Sequence, residues 1–346
     1  MTEAFPPPRR VTLPERTGAS GAREPALTLS VHESGSGPAV VLCHGFPELA
    51  YSWRRQIPAL AAAGFRVIAP DQRGYGGSDA PAPVEAYDLE HLTGDLVALL
   101  DALGLERAVF AGHDWGGFVA WAMPVLHPDR TAGVIGVNTP YIPFPTTGFL
   151  RQLFPDDEKL YILWFQQEGM AEGVLDRHPR LVFEKMIRGG VPSRGGLLRA
   201  VKEGRDANPF RNLDALTPTG RPLLHEGEID VYARAFAGGS GFRGPINWYR
   251  NADRNARLFP EIGERHLELP CLMITAEWDW ALPPDLAAGM PALCSDLETH
   301  LIRECGHWTQ QDKPDQLNQL MADWLIRRFR PAEPPITPSV QISLTA

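Results

Sequence analysis

The stretch VFAGHDWGGFVAW, Val109 to Trp121, sets a single acid among small residues where an apolar run gives way to helical spacing. Gly112 and Gly116 flank Asp114 as in a strand–turn–helix elbow, whose third position is usually serine. Such an elbow needs small flanks, because its backbone crowds the following helix and takes strained dihedrals. Its apex is lifted above the sheet edge, over helix N-terminal amides that favour negative charge. Aspartate also caps helices, so the elbow alone leaves that role open. No serine or cysteine in the chain has glycines two positions to either side. Asp114 is therefore the one elbow residue.

A nucleophile needs a base later in the reaction, and His307 in RECGHW follows the last expected strand. Parallel strands all end on one side, so a loop at that strand's C-terminus shares the sheet edge with Asp114. An acid must hold the histidine's tautomer. The loop after CLMITAEWDW offers Asp279, with Glu277 as a rival two residues nearer the strand. Asn138, after GVIGVNTP, cannot supply charge. The order nucleophile, acid, histidine is that of hydrolases built on an α/β sheet.

The elements that must position these residues follow an α/β rhythm. PAVVLCHGF and FRVIAPDQRG read as strands, AYDLEHLTGDLVALLDALG as a helix with a glycine stop, and RAVFAGHD and AGVIGVNTP as buried strands around the elbow helix. From 141 to 259 prolines, glycine pairs and aromatic helix-like segments replace the strands, which predicts an inserted, mainly helical cap. Alternation then returns with LPCLMITAEWD, a helix near 284–290, LETHLIRECGH and the amphipathic DKPDQLNQLMADWLIRRF. The expected architecture is a mostly parallel sheet flanked by helices and interrupted once. Its parts are a Pro-rich lead-in at 1–24 expected to be disordered, core at 25–140 and 260–330, the cap, and a Pro-rich tail at 331–346.

Composition sets bounds. The 346 residues are 44% hydrophobic and 22% charged, with a net charge of −9. That acidity, without basic clusters, argues against nucleic acid and for a small uncharged substrate. No apolar run is long enough to span a bilayer, and the N-terminus lacks a secretory h-region. Cys43, Cys271, Cys294 and Cys305 have neither metal nor disulfide-scaffold spacing, which points to a reducing cytoplasm. No metal or organic cofactor is expected, and a homodimer is possible.

From Leu27 to Phe329 the motifs HGFPE, GHDWGG, NWYR, AEWD and CGHWTQ jointly resemble the α/β-hydrolase-fold epoxide hydrolases of the soluble type. The resemblance implies Asp114 as nucleophile and His307–Asp279 as its partners. It implies oxyanion donors at the backbone N–H groups of Phe46 and Trp115, and Tyr161 and Tyr249 as proton donors from the cap. A carboxylate, unlike a serine hydroxyl, is already ionised near neutrality, its ordinary pKa being about 3.9, and displaces at saturated carbon. The elbow aspartate therefore suggests alkylation rather than acylation. The expected substrates are a small apolar epoxide and water, giving a diol.

Other readings compete. Haloalkane dehalogenases share the Asp114, Asp279 and His307 pattern, though Phe46 sits where they often carry a polar side chain. A ligand receptor of the same fold would gain little from the full set of groups. Each tyrosine is also free to be a packing residue of an aromatic cap. Phe46, Trp115, Trp164 and Trp248 are candidates to line an apolar pocket, with core packing as their alternative. His44 and His113 are expected as structural hydrogen-bonders, and Arg73, in DQRGYGGSD, as a scaffold ion-pair partner.

Overall fold

Short β-branched runs closed by turn residues become the strands of one eight-stranded sheet in the computed structural model, which describes residues 5–17, 23–192, 203–204 and 206–329. In chain order they are β1 (Arg9–Leu13), β2 (Leu27–Ser34), β3 (Ala39–Cys43), β4 (Arg66–Asp71), β5 (Ala108–His113), β6 (Thr131–Val137), β7 (Cys271–Ala276) and β8 (Leu297–Ile302). Their spatial order is β1-β2-β4-β3-β5-β6-β7-β8. β2 pairs antiparallel with both neighbours, and every other pairing is parallel. The fold is that of an α/β hydrolase.

β3, β5 and β7 are buried on both faces, as parallel strands covered by helices must be. Period-2 alternation sends Val40 and Leu42 to one face and Val41 and Cys43 to the other. The first face packs on α1 (Gln56–Ala62) and, through Leu317, Met321 and Trp324, on the C-terminal helix Pro314–Phe329. The second packs on α2 (Leu89–Ala102) and α3 (Trp115–Leu126). Arg73 is buried against Asp95, with contacts of 2.6 and 2.7 Å.

Residues 9–13, within the expected lead-in, instead form an edge strand. Val11 and Leu13 alternate inward and register with Leu29 and Leu27, a signal of two side chains that five residues make too short to read from sequence. The expected helix near 284–290 is a 3-10 segment at Pro284–Gly289 followed by a short α turn at Met290–Leu293. The tail at 331–346 lies outside the described residues.

Between β6 and β7 the chain makes a helical excursion: α4 (Thr147–Leu153), α5 (Tyr161–Trp164), α6 (Met170–Leu175), α7 (Pro179–Met186), α8 (Glu226–Phe236), α9 (Arg243–Arg250) and α10 (Ala252–Leu258). Phe183 stacks on Tyr232 at 5.0 Å and Phe236 meets Phe242 at 4.6 Å, an aromatic group of the cap that is continuous with the core below it. It is fastened to the sheet domain by Tyr232 with Ser52 (2.8 Å), Arg54 with Glu228 (2.8 Å) and Arg254 with Asp88 (2.7 Å). The Trp308 indole N–H also donates to the Met186 carbonyl at 2.8 Å.

Candidate active site

Asp114 stands between the last residue of β5 and the first of α3, with φ 51° and ψ −124°, a conformation that side-chain-bearing residues rarely adopt. The surroundings hold it there. Its carbonyl accepts the Thr139 hydroxyl at 2.8 Å and the Gly117 N–H at 2.9 Å. A Cβ on Gly112 would overlap the Gly116 carbonyl, and one on Gly116 the Cys43 carbonyl. The elbow glycines are thus required by close backbone approach.

The Asp114 side chain makes no capping bond to α3. Its Oδ1 instead accepts the Phe46 N–H at 2.8 Å. Trp115 opens α3, so its N–H is one of the amides that find no acceptor within the helix. Glu48 lies behind this loop, fully buried, with its carboxylate 2.8 Å from His113 Nδ1. His113 Nε2 in turn reaches the His307 carbonyl at 2.7 Å, tying the elbow to the histidine loop. His44 accepts the Gln72 N–H at 3.0 Å. Both histidines therefore sit in hydrogen bonds that fix backbone.

His307 follows β8 and is buried. Its Nδ1 lies 2.9 Å from Asp279 Oδ2, and its Nε2 stands 3.6 Å from Asp114 Oδ2. Asp279, after β7, is fully engaged: Oδ1 accepts the Ala281 and Leu282 N–H groups at 2.9 Å each, and Oδ2 also accepts the Asn138 amide at 2.6 Å. Glu277 instead accepts the Glu304 N–H at 2.8 Å and lies outside this cluster. Burial alone would raise the Asp279 carboxyl and lower the His307 imidazolium. Their mutual attraction outweighs it, bringing Asp279 down to about 2 and, with help from Asp114, His307 up to about 10.

The cap brings Tyr161, at the start of α5, and Tyr249, in α9, together with rings edge-on at 5.8 Å. Tyr249 lies 5.3 Å from the Phe46 ring and 5.0 Å from that of Trp115. Burial and then the Asp114 charge push the Tyr161 hydroxyl far above its ordinary range, with the Tyr249 hydroxyl easing it slightly. Tyr249 is raised too, by burial, then Tyr161 and Asp114. Both phenols are protonated across the physiological range.

Phe46 and Trp115 wall this space, joined by Phe165, 5.0 Å from Tyr249, and Phe210, 5.6 Å from Tyr161. Trp248 meets the Trp115 ring edge-on at 5.9 Å, and Trp164 is the chain neighbour of Phe165. Trp248 has 0% of its surface accessible, its N–H fixed on the Arg73 carbonyl at 3.2 Å, and Trp164, at 2%, lies beside Phe165 at 5.9 Å. Phe165 was findable, since it stands four residues from Tyr161 on the same helical face. Asn138 was not, because its value is an uncharged donor to Asp279. Among the described residues no group of three or more His, Cys, Asp or Glu is placed to hold a metal ion.

The family model described as the alpha/beta hydrolase fold matches residues 38–314. Among curated relatives, bifunctional epoxide hydrolase 2 of Sus scrofa is 41% identical over 312 residues. That alignment covers 87% of this chain and 54% of the relative, so the chain spans about half that protein's length. Epoxide hydrolase A of Mycobacterium tuberculosis is 41% identical over 311 residues, covering 86% of this chain and 94% of the relative. A crystal structure of epoxide hydrolase A from Mycobacterium thermoresistibile superposes with a TM-score of 0.77 at 38% identity, covering 92% of this chain and 98% of that one.

Proposed function

We propose, from the premise that this chain belongs to the epoxide hydrolases of the α/β-hydrolase fold, that it converts small apolar epoxides to vicinal diols through an ester on Asp114. The observation that carries the reading is the Asp114 carboxylate itself. One oxygen is held by the Phe46 N–H, the other faces His307 at 3.6 Å, and neither caps the helix.

In the first half-reaction Asp114 Oδ2 bonds to a ring carbon as the C–O bond of the epoxide breaks. Tyr161 and Tyr249 hydrogen-bond to the departing oxygen, and one of them gives it a proton. Such assistance is commonly worth about 10²- to 10⁴-fold. The aromatic walls suit an apolar substrate body and exclude bulk water.

Ester formation removes one of the two negative charges that hold His307 up at about 10. The imidazolium loses support at the moment a base is wanted, and its proton restores the phenol. Neutral His307, oriented by Asp279, then takes a proton from water as the water oxygen bonds to the Asp114 carboxyl carbon. The electron pair moves to the oxygen at the Phe46 and Trp115 N–H groups, where one donor is typically worth about 10²- to 10³-fold. Collapse breaks the bond between that carbon and the ester oxygen, which leaves with the proton from His307. The second water proton, left on the carboxyl, returns His307 to imidazolium.

A single turnover in ¹⁸O-water tests this. Label is expected in the Asp114 carboxylate and not in the first diol released. Label found only in the diol rejects the ester.

A further inference from the structure

The motif DQRGYGGSD places a third phenol beside the site. Tyr75, only 2% exposed, has a buried hydroxyl with no hydrogen-bond partner among the described residues. Aromatic rings enclose it: His44 at 4.7 Å, Trp248 at 5.4 Å and Phe236 at 6.2 Å. An unpaired buried hydroxyl costs stability that a phenylalanine would not, so the oxygen calls for a partner beyond the described residues.

Its neighbours say which part of the site it serves. His44 leads directly into Gly45 and Phe46, and its carbonyl is held by the Gln72 side chain at 2.6 Å. Trp248 meets Trp115 at 5.9 Å. Tyr75 is therefore linked to both residues whose N–H groups are assigned to the oxyanion, to Phe46 through His44 and to Trp115 through Trp248. After burial, Asp114 is the charge that most raises this phenol, ahead of Glu48. Tyr75 also borders a cleft of about 290 Å³ at the cap–core seam, with Gly76, Ser78, Phe236 and Ser240, which brings solvent to its outer side.

We propose that Tyr75 is a positioning residue for the hydrolytic half-reaction: its hydroxyl anchors an internal water that donates to the oxyanion formed on Asp114. Buried waters characteristically satisfy polar groups left unpaired by the chain. The inference rests on the ester reading above. No proton changes hands in this role. The phenol donates to the water, and the water donates to the oxygen already faced by the Phe46 and Trp115 N–H groups.

The test is Tyr75→Phe in the full chain, rapidly mixed with styrene oxide, following tryptophan fluorescence and the mass of the Asp114 peptide. The alkylation rate is expected to stay within about twofold, while ester breakdown slows about 10- to 100-fold and the adduct accumulates. Unchanged breakdown with an equal or higher Tm overturns the inference, as does a loss confined to alkylation. A wild-type enzyme that forms an Asp114 ester while Tyr75→Phe breaks it down normally overturns this inference alone. Wild-type diol formation without any ester overturns the parent reading, and this one with it.

Discussion

The Asn138 side-chain amide donates to Asp279 Oδ2 at 2.6 Å, the same oxygen that faces His307 Nδ1 at 2.9 Å. Asn138 sits at φ 64° just past β6, and its own oxygen accepts the Thr309 hydroxyl at 2.7 Å. A neutral residue thus aims the carboxylate that aims the imidazole. Asn138→Gly keeps the backbone conformation and removes the donor. Hydrogen bonds to charged groups contribute about 1.5–3 kcal/mol, so ester breakdown should slow by roughly 10- to 100-fold with alkylation little changed. Single-turnover kinetics separates the two; equal loss in both steps would argue for general disruption of the fold.

The two carboxylates around His307 predict a shift in its titration during turnover. In the free site it is held at about 10, and the ester state lacks the Asp114 charge. The rate of ester breakdown should therefore rise with pH through an inflection well below 10. An inflection at or above that value, in single-turnover profiles, would contradict the assignment of His307 as the base.

The same pair links stability to pH. His307 is raised from 6.5 to about 10, so its contribution is complete below 6.5 and is withdrawn as pH climbs through 10. Asp279 is lowered from 3.8 to about 2, so its contribution is complete above 3.8 and is lost as pH falls through 2. The two limbs describe one interaction and are not summed. Thermal melts of wild type should lose Tm between pH 6.5 and 10 more steeply than melts of His307→Gln.

Tyr161→Phe and Tyr249→Phe should each slow alkylation by an epoxide, and the double variant should lose about 10²- to 10⁴-fold. Undiminished epoxide turnover in the double variant would remove the phenols from the mechanism. Chloride release from haloalkanes by the wild type would favour the dehalogenase reading instead.

Glu48 is fully buried and pairs with His113 at 2.8 Å, and its second oxygen accepts the Gln310 amide at 2.6 Å. Removing one member of a buried pair typically costs about 3–5 kcal/mol. Glu48→Ala should accordingly destabilise the protein on that scale in denaturant unfolding, and Glu48→Gln should cost less. Equal stability of all three would mean the pair contributes nothing.

The elbow, the convergence of Asp114, Asp279 and His307 on one sheet edge and the parallel sheet were legible because each leaves a local mark: glycines two residues from Asp114, turn residues at strand ends, period-2 apolar runs. The alternation of Val11 and Leu13 was too brief to stand out beside the prolines that precede it. The support that Asn138 gives Asp279 depends on two loops 141 residues apart, and nothing local announces it. Trp248 reads from sequence as pocket wall or core alike. Only its contact with Trp115 and its bond to Arg73 decide between them.

The cap departs after β6 and the chain rejoins the sheet at β7, its immediate parallel neighbour, where Val134 is already in register with Cys271. Residues may be gained, lost or exchanged along that excursion without altering a single rung of the ladder below it. Evolution, or an engineer, can therefore recast the surfaces that the cap lays over the elbow while the Asp114 carboxylate keeps its place.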